Sequence, residues 1–63
     1  MATPTEMLLC AEREVRFRER VYPRLVERKK MSLPQSDYEI RMMESIAEHF
    51  RKIVEDEQPK LQL

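Results

Sequence analysis

The sequence contains no glycine, one cysteine, one histidine and only 6% aromatic residues, and these shortages exclude several kinds of site. Without glycine the chain lacks the residue that phosphate-binding loops and most left-handed turns need, which excludes Rossmann and P-loop nucleotide sites. A single cysteine cannot form an internal disulfide, and with a single histidine it falls short of a structural zinc set. We therefore expect no cofactor and no metal.

An excess of charge of one sign is also missing, because twelve Lys and Arg are balanced by twelve Asp and Glu. No overall basic field therefore favours nucleic acid or a membrane surface. No apolar run approaches the roughly 20 residues that span a bilayer, so we expect no membrane association and a cytoplasmic location. With 63 residues, the chain is long enough for one small domain and too short for a self-sufficient enzyme.

Two amphipathic helical patterns fill most of the chain. The first runs from Pro4 to about Lys30 and opens with Thr3 and Glu6, the signature of a capping box. Its apolar residues fall within one arc about 180° wide. Pro23 interrupts this pattern, but the apolar arc continues in phase beyond it. The sequence therefore predicts one helix with a kink at Pro23 and no break.

The second pattern runs from about Leu33 to Asp56 and opens with Ser32 and Gln35, a second capping-box signature. Its apolar residues follow a coiled-coil-like seam: Ile40, Met43, Ala47, Phe50 and Val54. Pro59 predicts that the helix ends before it, with residues 58–63 as a frayed tail.

These patterns predict an all-α fold, a two-helix antiparallel hairpin that makes residues 1–63 a single domain. Both helices carry a second apolar strip beside the seam, which a hairpin alone does not need. A chain this short has little stability to spare, so we expect the strip to form a homodimer interface in a four-helix arrangement. In the alternative, the kink turns the strip into the core of the single chain. The predicted interface residues are Cys10, Phe17, Val21, Met42, Ile46 and Ile53.

Charged residues also lie within the apolar arcs. Glu14 and Arg18 are four residues apart on the first helix, and Glu39 is placed similarly on the second. Charges at such positions persist when they are paired, so we expect a Glu14–Arg18–Glu39 cluster at a helix or subunit interface. The alternative is that Arg18 extends to the rim on its long stem.

Arginines recur every four residues on the polar side of the first helix. Residues 1–31 hold eight basic and five acidic side chains, against four and seven in residues 32–63. This basic stripe is a solvated surface, a contact for an acidic protein face, or a contact for a phosphate backbone. The predicted partner-binding residues are Arg16, Arg20, Tyr22, Arg24 and Arg28.

Catalysis is not expected, because two helices without a glycine-bearing loop enclose little volume for a pocket. Glu44 is expected on a solvated helical side and His49 at the border of the apolar arc. Cys10 is expected as a small buried thiol, with no general base nearby in the sequence. A pocket that joined Glu39, Glu44 and His49 would favour an enzyme instead.

Several segments resemble small proteins encoded in bacteriophage and prophage genomes, in which a pattern RE-x-x-x-R-x-RVYP-x-x-V is followed by M and then by E-I-x-x-M-x-x-I. The matching segments are residues 13–26, Lys30-Met31 and residues 39–46. The resemblance implies a phage accessory protein in a bacterial cytoplasm, acting as a non-catalytic modulator or inhibitor of a host protein. A small nucleic-acid-associated regulator, using the basic side of the first helix, is the alternative.

Overall fold

The computed structural model describes residues 1–57, which form two α-helices, α1 (Pro4–Glu27) and α2 (Leu33–Glu57). Residues 28–32 turn the chain back, and the two helices pack against each other as an antiparallel hairpin. No strand occurs in this part of the chain, so the predicted all-α hairpin is confirmed. The predicted tail, residues 58–63 with Pro59, lies outside the described residues.

α1 begins at Pro4, as predicted, with a complete capping box. The Thr3 hydroxyl accepts a hydrogen bond from the Glu6 backbone N–H at 3.1 Å, and the Glu6 carboxylate accepts one from the Thr3 backbone N–H at 2.9 Å. The bond from the Thr3 backbone is the main cause that lowers the pKa of Glu6 from its ordinary value of 4.5. The carboxylate therefore stabilises the helix start above pH 4.5, and this contribution is lost as the pH falls through the lowered pKa.

α1 passes through Pro23 without interruption, which confirms the prediction of one helix across this residue. Proline has no N–H to donate, so the carbonyl of Glu19 loses its partner within the helix. Pro23 and Glu19 are both exposed. Water can therefore satisfy that carbonyl, and the helix tolerates the proline.

α1 ends at Glu27 and not at the predicted Lys30, because the backbone turns left-handed at Lys29, where φ is 61°. The Lys30 N–H donates to the Leu25 carbonyl at 2.8 Å. The Lys29 N–H donates to the Val26 carbonyl at 3.0 Å, and the two bonds together form a Schellman motif. The left-handed position of this motif is usually glycine. The absence of glycine therefore does not prevent a left-handed turn here, since a lysine adopts it.

α2 matches its predicted bounds to within one residue, ending at Glu57. The Ser32 hydroxyl accepts a hydrogen bond from the Gln35 backbone N–H at 3.1 Å, and the Ser32 carbonyl accepts one from the Ser36 N–H at 3.0 Å. Pro34 lies in the first turn, where a missing N–H removes no bond within the helix. Ser32 thus caps α2 as predicted, but among the described residues only this half of the predicted capping box is formed, since the Gln35 side chain accepts no bond from the Ser32 N–H.

The contact between the helices is built around small side chains. The most buried residues are Ala11 in α1 and Ser36, Ala47 and Val54 in α2. Ala47 and Val54 belong to the predicted seam, and Ser36 extends that seam by one turn towards the start of α2. The small residues are thus the ones that are buried, whereas the larger apolar side chains beside them stay only partly covered.

Lys29→Gly should stabilise the hairpin by about 0.5–1 kcal/mol, because glycine adopts a left-handed backbone without the steric penalty of a Cβ atom. A gain of that size raises the melting temperature of so small a domain by roughly 2–8 °C, which circular dichroism at one fixed protein concentration can measure. Lys30→Gly is the matched control, since it removes the same charge where φ is negative. We expect it to lower the melting temperature, and equal behaviour of the two variants would contradict the role assigned to Lys29.

Candidate functional site

Arg18 is a charged side chain at the contact between the two helices. Its Nε donates to Glu14 Oε1 at 2.9 Å within α1. Its Nη1 donates to the Glu39 backbone carbonyl at 2.9 Å and to Glu39 Oε1 at 3.4 Å, both on α2. The guanidinium also lies 5.7 Å from the centroid of the Tyr22 ring. The structure thus brings the three predicted cluster residues together within one hairpin.

The contacts of Arg18 favour the charged form of its guanidinium further. Its pKa is raised above the ordinary value, mainly by the hydrogen bond to Glu14 and less by the charges of Tyr22 and Glu39, while desolvation acts in the opposite direction. A raised pKa means that the cation stabilises the folded state at every pH below its ordinary pKa, and that this contribution is lost only at strongly alkaline pH. The charge of Arg18 is therefore constant over the physiological range.

Arg18 also shows which flanks of the two helices share one side of the hairpin. Residues seven positions apart occupy nearly the same side of a helix, and Val21 follows Glu14 by seven residues on α1. Ile46 likewise follows Glu39 by seven residues on α2. Because Arg18 bonds both Glu14 and Glu39, Val21 and Ile46 lie on the same side of the hairpin. Neighbouring turns complete a surface that we call the apolar face, formed by Cys10, Phe17, Val21, Met42, Ile46 and Ile53.

The apolar face is open to solvent. Exposed fractions of 44%, 44% and 41% are found for Phe17, Met42 and Ile46. The cysteine of the face is exposed as well, and its two other members are half-buried. The alternative in which a kink turns the strip into the core of the single chain is therefore wrong.

The opposite side of the hairpin carries a second bridge, which the sequence analysis missed. Arg51 donates to Glu12 Oε2 across the helices at 2.9 Å and to Glu48 Oε2 at 2.6 Å. A shallow groove beside this bridge is also lined by Arg16 and Glu44. The register of the hairpin was the signal that could have revealed it, since folding about the connection places Glu12 next to Arg51. The hairpin thus has one charged side and one apolar side.

Of the five predicted partner-binding residues, one is half-buried and four are exposed. Tyr22 is half-buried beside Arg18, which places it at the contact between the helices. The guanidinium of Arg20 lies 5.9 Å from the centroid of the Phe17 ring, so this arginine borders the apolar face. The four exposed arginines along α1 and at its C-cap form what we call the arginine ladder: Arg16, Arg20, Arg24 and Arg28.

The residues that could have formed a catalytic pocket lie apart. Glu39 bonds Arg18 on the apolar side, whereas Glu44 lines the groove on the charged side. His49 is exposed and meets the ring of Phe50 edge-on, with 5.3 Å between the centroids. Within residues 1–57, no group of three His, Cys, Asp or Glu side chains is placed to hold a metal ion. In the same part of the chain, neither helix has the apolar length needed to cross a membrane.

Comparison of the chain with protein-family models, with curated proteins and with solved structures finds no match. The predicted relationship of residues 13–26 and 39–46 to phage-encoded proteins therefore stays a prediction. The apolar face, the arginine ladder and the Arg18 cluster are the features from which a function can be inferred.

Arg18→Ala should lower the free energy of unfolding by about 2 kcal/mol, because it removes charge-assisted hydrogen bonds and leaves two carboxylates without their shared cation. Arg51→Ala is the matched control. Arg51 also bridges the helices, but 39% of its side chain is exposed, against 19% for Arg18. Water screens exposed ion pairs, so we expect a smaller loss there. Urea unfolding at one protein concentration measures both losses of stability. An equal or larger loss in the Arg51 variant would contradict the expectation that Arg18 contributes more than Arg51 does.

Proposed function

We propose that this chain is a non-catalytic, protein-binding accessory protein of phage type, which modulates or inhibits a host protein in the bacterial cytoplasm. The observation that carries the proposal is the apolar face, which the hairpin leaves open to solvent. Contiguous exposed apolar surface of this kind marks protein-binding sites. The resemblance of the RVYP segment, residues 20–23, to phage-encoded proteins supplies the cellular context.

The first partner is a second copy of the chain, in a four-helix arrangement with two-fold symmetry. Full burial of a side chain such as Phe17 or Ile46 contributes roughly 1.5–3 kcal/mol, and each contributes less here because the hairpin already covers part of it. A two-helix chain gains little stability from its own core. Covering the apolar face is therefore a large part of what keeps the hairpin folded.

The host protein is expected to bind the arginine ladder. The ladder runs along the edge of the apolar face, because Arg24 follows Phe17 by seven residues and Arg28 follows Val21 by seven. Arg16 also lines the groove on the charged side, so it stays accessible when the apolar face is covered. Like charges at i, i+4 spacing weaken an isolated helix, so binding accounts for this arrangement more directly than stability does. Arginine is among the side chains most enriched at binding hot spots, and the surface that complements four of them is acidic.

A second candidate function is that of a small nucleic-acid-associated regulator. The ladder favours it because Lys29 and Lys30 extend the basic surface into the connection, and cation–phosphate contacts dominate the affinity of such proteins for nucleic acid. Acidic residues are interleaved with the arginines, however, at Glu12, Glu19 and Glu27. They weaken the local positive potential, so an acidic protein surface is the first choice.

Phe17→Ser/Ile46→Ser should convert a dimeric protein into a monomer, because both changes remove apolar surface from the centre of the proposed interface. Sedimentation equilibrium over a range of protein concentrations measures this. Leu9→Ser/Leu33→Ser is the matched control, since these leucines are 53% and 60% exposed and lie outside the apolar face. We expect the control to stay dimeric. A wild-type chain that is monomeric at every concentration would contradict the proposed self-association.

Arg20→Glu/Arg24→Glu should abolish capture of a host protein from bacterial lysate by the immobilised chain, because it reverses the charge of the ladder. Arg41→Glu/Lys52→Glu makes the same change in charge at exposed positions of α2 and should leave capture intact. Duplex DNA at low salt should not bind any of the three proteins. A salt-sensitive DNA complex that is lost only in the ladder variant would favour the second candidate function instead.

A further inference from the structure

Charge divides the hairpin lengthwise into a basic end and an acidic end. The half with the connection, residues 16–45, carries eight basic and five acidic side chains. The half with the outer ends of both helices, residues 1–15 and 46–57, carries three basic and seven acidic side chains. The net side-chain charge is therefore +3 at the connection end and −4 at the open end. Each helix is about 36 Å long, so the two ends lie well beyond one Debye length, about 8–10 Å, from each other.

The positive charge belongs to the connection and not to α1 as a whole. α1 itself, Pro4–Glu27, carries five basic and five acidic side chains. The excess of basic charge in residues 1–31 comes from the three cations that follow α1, which are Arg28, Lys29 and Lys30. The opposing negative charge belongs to α2, Leu33–Glu57, which carries three basic and seven acidic side chains, and three of the acidic ones follow one another at the open end.

The apolar face is centred on Phe17 and Ile46. Phe17 lies near the middle of α1 and Ile46 near the middle of α2. Their residue numbers add up to 63, as do those of Glu12 and Arg51, which touch across the helices. The other pair that crosses the helices, Arg18 and Glu39, adds up to 57. Phe17 and Ile46 therefore lie on the same side of the hairpin and within about one helical turn of the same level. A two-fold axis crossing both helices at this level brings each of them next to its own counterpart.

We infer that a second copy docks on the apolar face with its connection at the open end of the first copy. α1 then packs against α1 of the second copy, α2 packs against α2, and Phe17 and Ile46 flank the two-fold axis. The inference rests on the self-association proposed above and adds its orientation. In the opposite orientation the two connections lie together, and α1 of each copy packs against α2 of the other.

Charge complementarity selects between these two orientations, since both bury the same apolar face and both pack neighbouring helices antiparallel. With the connections at opposite ends, Lys29 and Lys30 of one copy lie beside the acidic residues that end α2 of the other, Glu55, Asp56 and Glu57. With the connections together, ends of like charge lie side by side, well within a Debye length. Only with the connections at opposite ends does the basic end of each copy lie beside the acidic end of the other, so that the two attract.

Disulfide trapping tests the orientation directly. Phe17→Cys and Ile46→Cys are each made in a Cys10→Ser background, so that every chain has one thiol, and are equilibrated in a glutathione redox buffer alone and as an equal mixture. Disulfides require Cα atoms about 4.4–6.8 Å apart. In the inferred orientation each variant alone gives mainly covalent homodimer, since position 17 meets 17 and position 46 meets 46. Covalent heterodimer in the mixture, with both single variants left reduced, overturns the inference, because the connections then lie together.

Salt dependence of the wild-type dimer is the second measurement, and it needs no substitution in the face. Raising sodium chloride from about 20 mM to about 500 mM shortens the Debye length severalfold. The inferred orientation predicts that the dimer dissociation constant rises at least several-fold, whereas a constant that falls overturns it. A chain that sediments as a monomer throughout overturns the self-association and the orientation together. A dimer with the opposite cross-links overturns the orientation alone.

Discussion

The contacts of Arg18 are the interaction on which the rest of the structure depends. Arg18 stands at a position where the spacing of Ala11 and Val15 along α1 would place an apolar seam residue. Its guanidinium is held by Glu14 on its own helix and by Glu39 on the other. A charge held by defined hydrogen bonds favours one register more strongly than non-directional apolar packing does. The hairpin therefore gains specificity at the position where it gives up apolar burial.

This arrangement explains why so much apolar surface faces outward. The most buried residues of the hairpin include Ala11, Ser36 and Ala47, which are small and bury little area each. The middle of α1 contributes a charged group to the contact, so larger side chains such as Phe17 and Ile46 are displaced to its flank. Small domains bury a low fraction of their surface in any case. The apolar face is thus exposed because the contact inside the hairpin is narrow and has a charged group at its centre.

Much of the fold could be predicted because the relevant signals are local. The helix caps act through neighbouring backbone groups, at Thr3 and Glu6 for α1 and at Ser32 for α2. The seam of α2 follows from the spacing of its apolar residues alone. The end of α1 could not be predicted, since a lysine gives no sign that it will adopt a left-handed backbone. Helix propensity favours its continuation, and only the bonds around Lys29 show otherwise.

The candidate site was predictable in composition but not in arrangement. The residues of the apolar face follow from the helical period, whereas the side of the hairpin on which they lie depends on how α1 and α2 meet. The bridge of Arg51 to Glu12 depends on register in the same way, and register is a tertiary property. Ser36 could not be predicted as a seam residue, because its side chain is polar, although its spacing fits the seam.

The left-handed lysine in the connection links two properties that proteins usually set independently. Lys29 closes α1 through its backbone and contributes to the electric field of the basic end through its side chain. Glycine relaxes the backbone but removes a charge, and no residue type supplies both an unstrained left-handed backbone and a cation. A substitution at this one position therefore changes the conformational strain of the connection and the electric field of the basic end together.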